Sequence, residues 1–236
     1  MEPWYRFAVM VIKPTLLLLL KREFRGQDRL PRTGGCIVAV NHVSYMDPFL
    51  VALFVHDAGR RPRYLAKSPL FRMPFVKWVL KGAKQIPVYR ETSDAAAALR
   101  AAVDAVKGGE CLVIYPEGTV TRDPDGWPML AKTGVARLAL MTGAPVIPVG
   151  QWGAQEFWPY KGKIDVLPRK RVEVWAGDPV ELSKWDGAEQ TSEHLREITN
   201  HIMGEITALV GEIRGESPPD APYVPSADRG ETRRAI

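Results

Sequence analysis

The sequence predicts an α/β fold: a central mixed or mostly parallel sheet flanked by helices and preceded by an N-terminal membrane-associated helix. Three observations carry that expectation. Short β-branched runs alternate with longer amphipathic or alanine-rich segments along most of the 236 residues, the pattern of strands linked by helices. Two of the runs, CIVAV at 36–40 and CLVIY at 111–115, are apolar throughout and read as buried strands. The chain opens on WYRFAVMVIKPTLLLLL, residues 4–20, which is apolar apart from Arg6, Lys13 and Thr15.

Taken in order, the opening segment is too short for a spanning helix, which needs about 20 apolar residues, and it carries Lys13 and Pro14 at its middle. Glu2 and the absence of a small-x-small site argue against a cleaved signal peptide. An interfacial or re-entrant helix is expected. Its basic flank of Lys21, Arg22, Arg25, Arg29 and Arg32 favours an anionic leaflet, so the expected location is the cytoplasmic face of the cell membrane. CIVAV then forms a strand, 48–56 a helix, RYLAK (63–67) a short strand, 69–82 a helix and QIPVYR (85–90) a strand. The alanine-rich 93–107 segment, capped by Ser93 or Thr92, is a helix. The strand CLVIY leads into a polar loop at 116–132, a helix at 133–141 and the strand PVIPVG at 145–150. A strand at 171–177 precedes a helix at about 191–212. From Gly215 the chain is proline-rich and polar, as a loose tail is. The expected units are therefore 1–32, a single domain at 33–214 and a tail at 215–236.

Hydrophobic residues make up 46% of the chain and charged ones 25%, which excludes disorder for most of its length. The net charge of +5 is unevenly placed: no acid occurs between Gly59 and Arg90, where nine basic residues fall. Such a block suits an anionic partner, and of nucleic acid, a lipid surface and a phosphorylated substrate, nucleic acid fits least. The cations alternate with bulky apolar residues and no nucleic-acid motif accompanies them. Cys36 and Cys111 open the two buried strands and read as core thiols in a reducing compartment.

Chemistry enters with NHVSYMD, residues 41–47. At roughly 100° per residue, five steps on a helix part His42 and Asp47 by about 140°; on a strand they face opposite ways. If they touch, a turn joins them. Asp47 before Pro48 has the form of a helix N-cap with proline at the first helical position. A carboxylate on one ring nitrogen would fix the imidazole tautomer and leave the other nitrogen to take a proton near neutral pH. The same pair as metal ligands of a phosphohydrolase would need further ligands, and no His/Asp cluster lies near; no metal site is expected. His194 and His201, with Glu197 between them, read as a solvated helix face, and His56 as a favourable charge at a helix end.

Three further blocks follow in order: GAKQIPVYR ending at Arg90, YPEGT at 115–119 and VIPV at 146–149. With NHVSYMD they resemble the four blocks of the glycerolipid acyltransferase family, the 1-acylglycerol-3-phosphate acyltransferases. The resemblance runs from about Val38 to Val149. It implies that His42, oriented by Asp47, is the general base that deprotonates an acceptor hydroxyl as it attacks an acyl thioester, with no acyl-enzyme. No G-x-S-x-G elbow is present, and neither cysteine has a basic neighbour in sequence. Glu117, Gly118 and Thr119 would shape the acceptor site, Glu117 by bonding the glycerol moiety or by bracing the loop. Backbone amides near Gly118 or the His42 turn would hold the oxyanion. Lys67 and Arg90 would meet the acceptor phosphate. Many family members carry arginine or serine after E-G-T; here Val120 stands there, and Arg122 is the substitute. Lys132 would add charge at a helix start, and Phe71, Phe75 and Trp78 would line an acyl groove.

The implied reaction moves a fatty acyl group from acyl-CoA or acyl carrier protein to lysophosphatidate, giving phosphatidate, with acyl-CoA as co-substrate and no bound cofactor. Glycerol 3-phosphate or another lysophospholipid is the alternative acceptor, because the four blocks do not discriminate. The implied partners are the acyl donor, the lysophospholipid and an anionic membrane surface.

Overall fold

The computed structural model describes residues 3–67, 71–73, 76–82, 85–88, 92–185, 187 and 189–225. The elements run α1 (Pro3–Leu19), β1 (Leu20–Arg25), β2 (Cys36–Val40), α2 (Asp47–Asp57), β3 (Pro62–Lys67), α3 (Val76–Gly82) and β4 (Ile86–Val88). They continue with α4 (Thr92–Lys107), β5 (Cys111–Ile114), α5 (Gly134–Thr142), β6 (Val146–Trp152), a short α6 (Ala154–Phe157), β7 (Lys170–Ala176) and α7 (Ser192–Arg214). Seven strands form a sheet in the order β1-β7-β6-β2-β5-β3-β4. Every neighbouring pair is parallel except β6 and β7. The fold is thus the α/β class expected, with a mostly parallel mixed sheet.

The sheet is covered on both faces, which is why β2 is buried at all five positions. Alternation divides its side chains. Cys36, Val38 and Val40 join Leu50, Val51 and Phe54 of α2 in one core, while Ile37 and Ala39 join Val103 of α4, Val135 of α5 and Ile198 and Ile202 of α7 in the other. Each fully buried large apolar side chain contributes about 1.5–3 kcal/mol by leaving water. Cys36 and Cys111 stand opposite each other in register on β2 and β5, both free thiols.

The N-terminal basic flank differs from its sequence reading. Residues 20–25, LKREFR, expected as a basic flank facing an anionic leaflet, form the outer strand β1, in register with β7 from Leu20↔Lys170 to Arg25↔Trp175. Leu20 and Phe24 serve the core while the charged positions pair along an edge, where charges are tolerated. Arg22 bonds Asp57, Glu23 is shared by Arg25 and Arg171, and Arg29 meets Asp178. Of the five flank cations, only Lys21 and Arg32 have no ion pair among the described residues.

Helix α1 continues through Pro14 and lies against the domain. Tyr5, Leu16 and the following Leu20 are buried, the hydroxyl of Tyr5 is 2.9 Å from Nδ1 of His56, and Lys13 pairs with Asp57 at 2.8 Å. The opposite side exposes Phe7, Met10, Val11, Leu17 and Leu18, spaced as one helical face. Among the described residues no helix is long and apolar enough to cross a membrane.

Candidate active site

The site forms just beyond the carboxyl ends of β2 and β5, where open parallel sheets leave a crevice. Asn41, the first residue after β2, is fully buried and locked to β6. Its Nδ2 donates to the Gln151 carbonyl at 3.0 Å, its Oδ1 accepts the Gln151 N–H at 2.8 Å, and its carbonyl accepts Nε2 of Gln151 at 2.7 Å. The backbone of His42 is held as firmly: its N–H donates to Oε1 of Glu117 and its carbonyl accepts the N–H of Thr121, both at 2.7 Å. The pivot of the imidazole is therefore fixed from two distant segments, β6 and the loop after β5.

The turn between His42 and Asp47 closes on the carboxylate. Oδ2 of Asp47 accepts from Nδ1 of His42 at 2.8 Å, from the N–H of Val43 at 2.7 Å and from the N–H of Ser44 at 2.8 Å. An acceptor on Nδ1 places the ring proton there and leaves Nε2 as the basic nitrogen. Nε2 makes no hydrogen bond among the described residues, and the His42 side chain is 14% exposed. Asp47 is fully buried; burial pushes its carboxyl up, against the His42 bond and the two amides that favour the anion.

The expected N-cap role of Asp47 is corrected. Met46 occupies the cap position, Asp47 is the first helical residue, and its side chain turns back to the preceding turn. Three donors presented by that turn outweigh the free amides of the first helical turn. Ser44 completes the clasp: its Oγ accepts the Met46 N–H at 3.0 Å and donates to the Trp158 carbonyl at 2.6 Å.

The YPEGT loop packs beneath. The Tyr115 ring stacks on the imidazole, centroids 4.3 Å apart. Glu117 is buried, with Oε1 on His42 and Oε2 accepting the Met129 N–H at 3.0 Å. Burial raises its pKa to about 8, although both amides favour the anion. Gly118 turns the chain at φ +73°, a conformation that other residues rarely adopt. A Cβ there would sit 3.6 Å from Cδ and Cε of Lys132, so Lys132 lies over this turn.

A family model described as Acyltransferase matches residues 21–152, more than half of the chain. The chain belongs to the acyltransferase family. A 1-acyl-sn-glycerol-3-phosphate acyltransferase of Borreliella burgdorferi is 32% identical over 134 residues, covering 56% of this chain and 52% of that protein. The chloroplastic 1-acyl-sn-glycerol-3-phosphate acyltransferase BAT2 of Brassica napus is 26% identical over 168 residues, 70% of this chain and 47% of that protein. The chain thus spans about half the length of these curated relatives. The crystal structure of the 1-acyl-sn-glycerophosphate (LPA) acyltransferase PlsC of Thermotoga maritima superimposes with a TM-score of 0.71 at 26% identity, covering 91% of this chain and 81% of that one. A lyso-ornithine lipid O-acyltransferase of Rhodobacter capsulatus is 24% identical over 120 residues, 51% of this chain and 41% of that protein.

The acyltransferase blocks converge unevenly. His42, Asp47 and Glu117 are joined by hydrogen bonds, Gly118 and Thr119 follow Glu117 in its loop, and of the two roles open for Glu117 the geometry is that of a brace, since both its oxygens are engaged. Arg122 is exposed with no partner among the described residues. Lys67 ends β3, but its side chain, like all of Arg90 and Phe75, lies outside the described residues. Phe71 is half-buried, and Trp78 is exposed on α3 with Nζ of Lys77 5.4 Å from its ring centroid. His194 and His201 each set a ring nitrogen against a backbone carbonyl, of Glu189 and Glu181. Sequence reasoning missed the Asn41–Gln151 clasp and the Tyr115 stack. The only hint was position: Asn41 leads the first block, and Gln151 follows the last by two residues.

Proposed function

We propose that this chain transfers a fatty acyl group from acyl-CoA or acyl carrier protein to the free hydroxyl of lysophosphatidate, giving phosphatidate. The single observation that carries this reading is His42 held through Nδ1 by a buried carboxylate, with Nε2 unengaged at the carboxyl ends of the strands. Nε2 takes the hydroxyl proton as the acceptor oxygen attacks the thioester carbonyl; collapse of the tetrahedral intermediate expels thiolate, which recovers the proton from the imidazolium. Asp47 stabilises that cation. No covalent acyl-enzyme is needed, because thiolate is already a good leaving group.

Four of the amides first considered for the oxyanion are committed: those of His42, Val43, Ser44 and Gly118 donate to Glu117, Asp47, Asp47 and Tyr115. The amides of Thr119 and Val120 have no acceptor among the described residues and take that role. Lys132 and Arg122 border the same loop and, with Lys67 and Arg90, supply charge for the acceptor phosphate. Phe71, Phe75 and Trp78 serve the acyl chain. The exposed apolar face of α1 holds the enzyme at the bilayer surface, where acceptor and product reside.

The test follows thiol release from a long-chain acyl-CoA with lysophosphatidate present, comparing the native chain with His42→Ala. Loss of turnover supports the proposal and undiminished turnover sinks the His-base mechanism. Because one relative is named for a lyso-ornithine lipid, the same assay is run with glycerol 3-phosphate and a panel of lysolipids to fix the acceptor.

A further inference from the structure

The segment between α6 and β7 is exposed from Lys161 to Arg169 and lies outside the stretch matched by the family model. Within it Ile164 is 50% exposed, Val166 42% and Leu167 74%. One exposed leucine is ordinary, but three apolar side chains in four residues are a patch. The loop is held in this form by its own bonds. The Asp165 N–H donates to the Phe157 carbonyl at 2.9 Å, and the Leu167 N–H donates to Oδ1 of Asp165 at 3.3 Å.

Charge selects the partner. Asp165 is the only acid between Trp158 and Arg169, and Lys170 neutralises it at 2.7 Å. Lys161 and Lys163 precede the apolar residues and have no ion pair among the described residues. Apolar side chains next to lysines that have no acidic partner match an anionic lipid surface, with acyl chains for the former and headgroups for the latter.

Both ends of the loop join features already described. At one end Nη2 of Arg169 donates to the carbonyls of Leu17 at 2.6 Å and Leu20 at 2.8 Å, which ties the end of the loop to the end of α1, where Leu17 and Leu18 are exposed. At the other, Tyr160 and Trp158 lie against Tyr45 with centroids 6.1 and 5.8 Å apart, and the Trp158 carbonyl receives the Ser44 hydroxyl. Tyr45 belongs to the His42 turn and is 43% exposed. Aromatic rings with polar tips favour the headgroup layer.

We propose that residues 158–169 form a second bilayer contact, which inserts Ile164, Val166 and Leu167 into an anionic leaflet and sets the His42 turn at its surface. The proposal rests on the reading that the acceptor is a membrane lipid. It names a contact distinct from α1 and ties it to the site through Tyr45 and Ser44.

The experiment uses the full chain with Leu167→Cys carrying an environment-sensitive dye; Cys36 and Cys111 are buried, so the label goes to the new thiol. Leu18→Cys on α1 is labelled in parallel. On vesicles of phosphatidylcholine containing phosphatidylglycerol, both dyes are expected to shift to the blue, and pure phosphatidylcholine shifts them less. The triple change Ile164→Ser, Val166→Ser, Leu167→Ser weakens vesicle binding by about tenfold. It lowers turnover of vesicle-borne long-chain lysophosphatidate and spares a short-chain, water-soluble analogue. A silent label at 167 beside a responsive one at 18 overturns the loop contact and leaves the membrane role of α1 standing. Silence at both positions overturns the loop contact and the bilayer part of the proposed function together. A shift evoked by an acidic carrier protein and not by vesicles overturns the lipid assignment in favour of a protein partner.

Discussion

The imidazole of His42 lies nearly flat on the ring of Tyr115, the planes 26° apart and the centroids 4.3 Å apart. Tyr115 thereby walls one face of the ring while Asp47 holds its edge. The Tyr115 hydroxyl is buried without a partner among the described residues, and burial pushes its pKa well up. The stack needs the ring and not the hydroxyl.

Tyr115→Phe is therefore expected to keep acyl-transfer activity and to gain about 1 kcal/mol of stability, since an unsatisfied buried polar group is removed. Tyr115→Leu loses the flat wall and about tenfold in rate, a loss of about 1.4 kcal/mol in transition-state stabilisation. Urea unfolding of the two variants beside their turnover checks both statements. A Phe variant as slow as the Leu variant would give the hydroxyl a role that the geometry does not.

Glu117 makes stability depend on pH. Its carboxyl is raised in the folded chain to about 8, so folding favours the protonated form. The stabilisation is fully present below the unfolded-state value of about 4.3 and is lost as pH rises through about 8. Glu117→Gln cannot ionise. The stability of the variant relative to the native chain is expected to rise between about pH 4.5 and 8, by a few kcal/mol at most, in chemical denaturation at stepped pH. A flat difference across that window would show that the two amides hold Glu117 ionised throughout.

The clasp between Asn41 and Gln151 is expected to behave as one unit. Asn41→Ala or Gln151→Ala strands buried polar groups and costs about 2 kcal/mol. The double variant costs clearly less than the sum of the singles. Each single change also slows acyl transfer, because Asn41 precedes His42. Additive losses in unfolding experiments would count against the clasp.

What was legible in the sequence follows from which signals are local. Strand β2 is apolar at every position and β-branched at three of them, the mark of a covered strand, whereas β1 hid its two core residues among four charged ones whose partners, such as Asp57 and Arg171, lie far along the chain. The spacing of His42 and Asp47 demanded a turn and the structure has one. It did not reveal that the carboxylate would collect two amides of that turn instead of capping α2, because backbone donors leave no mark in sequence. The same reason hid the bracing of Glu117, whose partners are amides of His42 and Met129.

The most direct test of the His42–Asp47 pair is a double-mutant cycle on thiol release from long-chain acyl-CoA in the presence of lysophosphatidate. His42→Ala is expected to lower turnover by about 10²–10⁴-fold. Asp47→Asn should lose a comparable factor, and the double variant should be no slower than His42→Ala alone, because groups that act as a unit fail together. Undiminished turnover in His42→Ala, or losses that multiply in the double variant, would contradict the pair as the source of catalysis.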